Sequence, residues 1–176
     1  EKHPDLDASV KYLAWLSLDS EEGQEYWLSM ELAGRFASAN HYIIHQRVAA
    51  AVGLKEVGVV ENHHNFAWKE KMVDGRTVIV HRKGATPAGV GVLGIIPGSM
   101  GDAGYLVRGK GISSSLESAS HGAGRQMSRR VAINSISKSA RDEYLKQNGV
   151  TLLGGGMDES PQAYKPIEAV INAQTE

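Results

Sequence analysis

Apolar residues recur along the first third of the chain at the spacing of a helix. From about Asp19 to Val52, Tyr26, Met30, Ala33 and Ala37 fall three or four positions apart, and Trp27 and Leu28 widen the stripe. Asp19 with Glu22 three residues on matches a capping box, Gly34 weakens the middle, and Gly53 supplies a stop. The pattern predicts a core helix. From Glu56 to Lys110 the spacing changes to that of strands. Val57, Val59 and Val60 make a short apolar run, Asn65–Met72 alternates loosely, and Val92–Ile96 and Tyr105–Val107 are further strand candidates. Asp74-Gly75 suits a two-residue type I′ turn, which predicts a hairpin joining Met72-Val73 to Arg76–Val80. Helices are predicted again at Arg125–Asn134 and Ser137–Asn148, the second closed by Gly149. A short strand is expected at Val150–Leu153, then a helix with Pro166 in its first turn.

Composition narrows the function classes. With 176 residues the chain has room for one domain with a real core and too little for two of typical size. No apolar run approaches the length of a membrane span, and the start at Glu1-Lys2-His3-Pro4 carries no apolar signal region. The absence of cysteine excludes disulfides, thiolate metal sites and a cysteine nucleophile within this segment, and a cytoplasmic location is the expectation. A net charge of −1 hides an asymmetry. Between Arg76 and Lys146 there are eleven basic residues against four acidic ones, while the remainder holds eight basic and sixteen acidic. A basic middle suits a phosphate-rich ligand, although ordinary solvated surface gives the same count.

Eleven glycines lie between Gly84 and Gly124, a density that signals tight turns or backbone brought close to a ligand. Pro97-Gly98-Ser99-Met100-Gly101 follows an apolar run, and such a turn can aim successive amides at an anion. Gly104 to Lys110 nearly spells a phosphate loop, but Gly111 stands where the Ser or Thr is required and Tyr105–Val107 reads as strand. In Ser120-His121-Gly122-Ala123-Gly124-Arg125, a histidine on an open glycine turn can be approached by a phosphoryl group. Arg125 and the amides of a following helix are placed to neutralise charge there. Neutral imidazole is a competent nucleophile toward phosphorus. Within Glu61-Asn62-His63-His64-Asn65, adjacent histidines on extended chain point to opposite sides, so one of them at most enters a given site. His41 and His45 are one helical turn apart, a spacing that can grip a metal, but no third ligand is evident nearby. His81, Arg82 and Lys83 end a strand and suit either phosphate contact or protection of a sheet edge. Taken singly, each motif has a structural explanation; the ordered set is what distinguishes this chain.

In that order, His64-Asn65, His81 to Thr86, Pro97 to Gly101 and Ser120 to Arg125 resemble the signature of the RtcB family of RNA ligases. Gly23 to Asn40 is similar to the family's helix before a metal histidine, and Asp158 to Lys165 to its Asp-Glu-x-Pro-x-Ala-Tyr-Lys stretch. The resemblance implies joining of an RNA 3′-phosphate or 2′,3′-cyclic phosphate to a 5′-hydroxyl, in tRNA splicing or RNA repair, through a histidine–GMP intermediate. It implies GTP and Mn(II) as cofactors, RNA as substrate, an archease-type activating partner and no membrane. Carried over by motif, His121 is the catalytic nucleophile and His64 a metal ligand. The guanylate site is expected from His64, Asn65, Pro97, Gly98, Ser99, Met100, His121, Gly122, Ala123 and Gly124.

The implied fold class is α+β, mostly antiparallel strands with surrounding helices, in the family's mixed architecture. Residues 1–176 are then expected to be a single unit, the C-terminal portion of a ligase whose N-terminal half carries the other metal ligands, among them a cysteine. A family lysine that contacts the guanylate would fall beyond Glu176. Gly104 replaces a serine often found in the family, and His41 stands where an arginine is usual. Two readings from other classes compete: a noncatalytic nucleotide- or RNA-binding fragment, and a phosphohistidine protein unrelated to RNA.

Overall fold

The computed structural model describes residues 15–72 and 74–175. The chain divides into two compact units, Glu1–Val57 and Gly58–Glu176. In the first, α1 runs over Glu21–Ala51. Its N-cap is Ser20 rather than Asp19, with the Ser20 side chain accepting from the Gly23 N–H. Only Gly23, Trp27 and Gly34 of the helix are buried. The expected core stripe is not formed among the described residues: Tyr26, Leu28, Leu32, Phe36 and Ile43 are exposed, because the apolar residues are spread around the helix instead of gathered on one face.

The second unit is built from three antiparallel strand pairs and three short helices, an α+β arrangement. The β1 strand (Asn65–Lys71) pairs with β2 (Thr77–Lys83) from Asn65↔Lys83 to Lys71↔Thr77. The hairpin forms as predicted, but its connection is longer than two residues: Met72 N–H donates to the Arg76 carbonyl, and Gly75 takes φ +87°. Pairing sets Phe66, Trp68, Glu70 and Arg82 on one face. There Arg82 is buried, and its Nη1 and Nη2 meet the two Glu70 carboxylate oxygens at 2.5 and 2.9 Å. Its remaining donors reach Ser118 Oγ at 2.8 Å and the Leu116 carbonyl at 2.8 Å, and the guanidinium lies 5.0 Å from the Trp68 ring centroid. Of the three cationic side chains expected at this strand end, Arg82 is therefore structural, while His81 and Lys83 are exposed.

After a left-handed Gly84 (φ +78°), β3 (Ala85–Pro87) pairs with β6 (Ser118–Ser120). The third pair joins β4 (Leu93–Pro97) to β5 (Gly104–Arg108), so the near phosphate loop is a strand as predicted. Ile96, Ala123 and Ile167 form the buried cluster, with Tyr105, Val107 and Tyr164 packed on it. Helices α2 (Arg129–Ser135) and α3 (Lys138–Gln147) begin at serine caps, Ser128 and Ser137, and α4 covers Ile167–Asn172 behind Pro166. The α2 helix starts four residues later than predicted. Arg125 is held in an antiparallel bridge to Tyr164, and Gln126 N–H donates to the Ala163 carbonyl, so both are bonded across the chain rather than within a helix. The expected strands at 57–60 and 150–153 do not form, since no neighbouring strand offers either of them a ladder. Among the described residues no helix is long and apolar enough to cross a membrane.

Candidate active site

The β6 strand delivers His121. At its end, the Gln174 carboxamide accepts from Ser120 N–H at 2.7 Å and donates to Ser120 Oγ at 2.9 Å, which fixes the strand just before the turn. His121 N–H then reaches the Gly84 carbonyl at 3.4 Å, and Ala123 N–H donates to the Pro97 carbonyl at 3.0 Å. A Cβ on Gly122 would stand 3.4 Å from that same carbonyl oxygen, so the turn lies close against Pro97. Gly124 adopts φ +69° and accepts from Lys165 N–H at 2.9 Å. A buried Ala123 completes the anchorage, and the imidazole stays half-buried.

Pro97 also opens the second glycine turn. Gly98 N–H donates to the Ala103 carbonyl at 3.1 Å, and a Cβ there would come within 2.7 Å of that oxygen. Only glycine fits without a shift. Ser99 is buried and turns inward: its hydroxyl donates to Asp102 Oδ2 at 2.5 Å, and its N–H reaches the same oxygen at 3.2 Å. Tyr144 of α3 donates to Asp102 Oδ1 at 2.8 Å. Burial pushes the Asp102 carboxyl up, but the bonds from the Ser99 and Tyr144 hydroxyls and the Ser99 N–H outweigh it and hold it below its ordinary value.

The third segment brings in His64. Asn62 binds the β4 backbone from both ends of its amide, donating to the Leu93 carbonyl at 3.3 Å and accepting from Ile95 N–H at 3.2 Å. His63 stacks on Phe66 with ring centroids 4.7 Å apart, whereas His64 turns the other way. Its Nδ1 is 3.0 Å from Nδ1 of His121, with the rings edge to face. One of these nitrogens donates and the other accepts. Desolvation first, and the neighbouring His64 second, hold the His121 imidazole below its usual pKa, which favours the neutral ring. Beyond the ring, Gly84 offers no side chain: a Cβ there would be 3.8 Å from His121 Nε2.

Three separated segments, each with its own histidine or glycine motif, thus converge. The family model described as tRNA-splicing ligase RtcB matches residues 2–176. The chain belongs to the RtcB family. It is 34% identical to the tRNA-splicing ligase RtcB of Methanococcus maripaludis over 92% of this chain and 40% of that protein. Against the RNA-splicing ligase RtcB of Escherichia coli K12 the identity is 35%, covering 93% of this chain and 43% of that protein. The tRNA-splicing ligase RtcB of Nanoarchaeum equitans is 34% identical over the whole of this chain and 43% of its own length. The chain therefore spans about two fifths of the length of these relatives.

Of the positions carried over from the RtcB motifs, His64, Pro97 and His121 to Ala123 meet directly. Asn65 opens β1, exposed and opposite Lys83. Ser99 directs its hydroxyl into the protein, and the Met100 methyl lies where a Cβ on Gly155 would be 3.4 Å away. Arg125, expected to neutralise charge beside His121, is committed elsewhere. It donates to the Tyr164 hydroxyl at 3.1 Å and to the Asp158 and Met127 carbonyls, and its guanidinium sits 5.0 Å from the Tyr164 ring centroid. Nor does a helix N-terminus follow at once, because α2 begins at Arg129. Arg129 itself pairs with Asp158 and Glu159. No group of three His, Asp or Glu residues suited to a metal assembles among the described residues, around His64 or around the exposed His41 and His45. His64 alone does not make a metal site.

Sequence reasoning missed Asp102, Tyr144, Gln174 and the bridging role of Asn62. Asp102, three residues after Ser99, had a local signal, since an Asp at that offset can close a turn on a serine. Tyr144 and Gln174 had none, because they arrive from α3 and from the turn after α4, 42 and 54 residues away in the chain.

Proposed function

We propose that this chain is part of an RNA ligase that joins an RNA 3′-phosphate or 2′,3′-cyclic phosphate end to a 5′-hydroxyl, with His121 as the nucleophile that carries GMP. The observation that carries the reading is the meeting of His64 with His121 at 3.0 Å on a turn braced by Pro97. The same three segments hold the family's motif. With His121 donating from Nδ1, its Nε2 holds the lone pair, and the bare backbone of Gly84 leaves its approach unobstructed. Attack of Nε2 on the α-phosphorus of GTP forms an N–P bond as the bond to pyrophosphate breaks. Water first opens a 2′,3′-cyclic end to the 3′-phosphate and frees the 2′-hydroxyl; an oxygen of the RNA 3′-phosphate next takes the GMP and frees the imidazole. The 5′-hydroxyl then attacks the activated RNA phosphorus, GMP leaves, and the hydroxyl proton is released. The amides and glycines of the two turns hold the guanylate in this reading.

Mn(II), when bound, would neutralise the triphosphate, and His64 would be one of its ligands. An archease-type protein is the proposed activator, and the cytoplasm the proposed compartment. The test is to incubate the full-length protein with labelled GTP and Mn(II). Label should stay on the protein, acid-labile and alkali-stable as a phosphoramidate is, and His121→Ala should remove it with metal content unchanged. His64→Ala should lower metal content and labelling together. Normal GMP uptake by His121→Ala would refute the assignment.

A further inference from the structure

A second basic feature lies along α3 and the loop that follows it, outside the two glycine turns. Lys138, Arg141, Asp142, Leu145 and Lys146 recur at the spacing of one helix face and line an open groove of about 630 Å³, whose opposite wall is the segment 149–155. Arg141 is 7% exposed, an unusual depth for a guanidinium. Its Nε and Nη2 both bond to Asp142 Oδ1, at 2.8 and 2.7 Å, so one carboxylate oxygen takes both, and Nη1 has no acceptor among the described residues. A buried guanidinium keeps a donor free only where a ligand or water can meet it. Lys138 and Lys146 flank it, both exposed. Among the described residues the N–H groups of Thr151, Leu152, Leu153, Gly154 and Gly155 donate to no backbone carbonyl. The backbone of that wall is thus left to solvent or a ligand, and the groove offers a net positive charge with Asp142 counted.

Three cationic side chains on one wall fit a phosphodiester, and the surroundings favour an RNA strand. The groove joins the turn proposed to hold the guanylate: Gly155 abuts Met100, and a Cβ on Gly101 would be 2.7 Å from Tyr144 Cε1 and 3.3 Å from Leu145 Cδ2 of the same α3 helix. A strand ending at that turn would pass along α3. Resting on the ligase reading above, we propose that the α3 groove holds backbone phosphates of the RNA whose end is activated at His121, with Lys138, Arg141 and Lys146 as the phosphate contacts. Arg125 and Arg129, the other arginines of the basic middle nearest His121 in sequence, already pair with the Asp158–Glu159 segment.

The test uses the full-length protein and fluorescence anisotropy with a single-stranded RNA bearing a 3′-phosphate. Lys138 and Lys146 are exposed, so Lys138→Ala/Lys146→Ala should melt normally while losing about ten-fold in RNA affinity at low salt. The slope of log affinity against log salt should shrink by about 0.7 for each lysine contact to a single strand. Arg141→Gln should show the same loss wherever its melt confirms folding. Unchanged affinity and slope in the double lysine variant would overturn the groove. So would competition by polyglutamate as strong as by RNA, which would mark an acidic-peptide site. GMP uptake by the unsubstituted protein tests the ligase reading separately: no uptake, with groove-dependent RNA binding intact, would sink that reading and leave the groove.

Discussion

The two glycine turns that meet at Pro97 use their polar groups in opposite ways. In the turn from Pro97 to Gly101, the serine hydroxyl donates to Asp102 and accepts from Gly101 N–H at 3.2 Å, so its one proton is committed inside the turn. Tyr144 takes the second Asp102 oxygen. In the turn from His121 to Gly124 the backbone is held as firmly, by Gly84, Pro97 and Lys165, yet its one polar side chain faces only another imidazole and a bare glycine. The first turn braces itself with its polar side chain, and the second holds its imidazole clear of such a role. Two motifs of similar composition therefore separate by where the polar side chain is aimed, and substitutions in them should separate stability from reactivity.

The sharpest way to break that comparison is His121→Ala. GMP uptake should fall to background, while the melting temperature should change little, since a half-buried ring with one imidazole partner adds on the order of 0.5 kcal/mol or less to the fold. Asp102→Ala should do the reverse. It leaves the Ser99 N–H and hydroxyl and the Tyr144 hydroxyl without their shared acceptor, costing about 2–3 kcal/mol by denaturant melt. GMP uptake should drop only as far as the loosened turn allows. A variant that melts normally would show that Asp102 does not brace the turn.

Next in size is the contrast between two glycines. Gly98→Ala drives a Cβ to 2.7 Å from the Ala103 carbonyl oxygen and from Asp102 Cβ, both tied to the turn, and should cost about 1–3 kcal/mol. Gly122→Ala meets its nearest atom, the Pro97 carbonyl oxygen, at 3.4 Å and should cost less in a melt. Its added methyl lies beside His121, so GMP uptake should suffer more than stability does. If the two variants lose stability equally, the two turns are not distinguished as described.

How far the sequence carried depended on whether a residue's partners were local. The helix from Ser137 closed by Gly149, the β4 and β5 strands and the rejected phosphate loop were legible because each rests on neighbours within a few positions. So was the opposite facing of His63 and His64, which follows from extended backbone alone. Arg125 and Arg82 were misread for one shared reason. Both look like ligand cations until Glu70 and Leu116, or Asp158 and Tyr164, arrive from distant segments to occupy them. The strands expected at 57–60 and 150–153 failed in the same way, since apolar alternation proposes a strand but only a neighbour supplies its ladder.

The smallest expected effect tests the brace from its far side. Tyr144→Phe keeps the ring that packs on Gly101 and removes only the hydroxyl that donates to Asp102. At neutral pH the loss should be about 1.5 kcal/mol, the low end for a hydrogen bond to a charged group because the Tyr144 side chain is only half-buried. Its pH dependence identifies the partner. Asp102 has a folded-state pKa below its ordinary value, so the stability it contributes is complete above the unfolded carboxyl pKa of about 4 and is lost as pH falls through the lower folded value. Melts of the wild type and Tyr144→Phe should therefore differ by a constant amount from about pH 5 to 8 and converge in acid below about pH 4, as protonation weakens the acceptor. A gap that persists unchanged into that acid range would mean that the Tyr144 hydroxyl stabilises α3 by some route other than the Asp102 carboxylate.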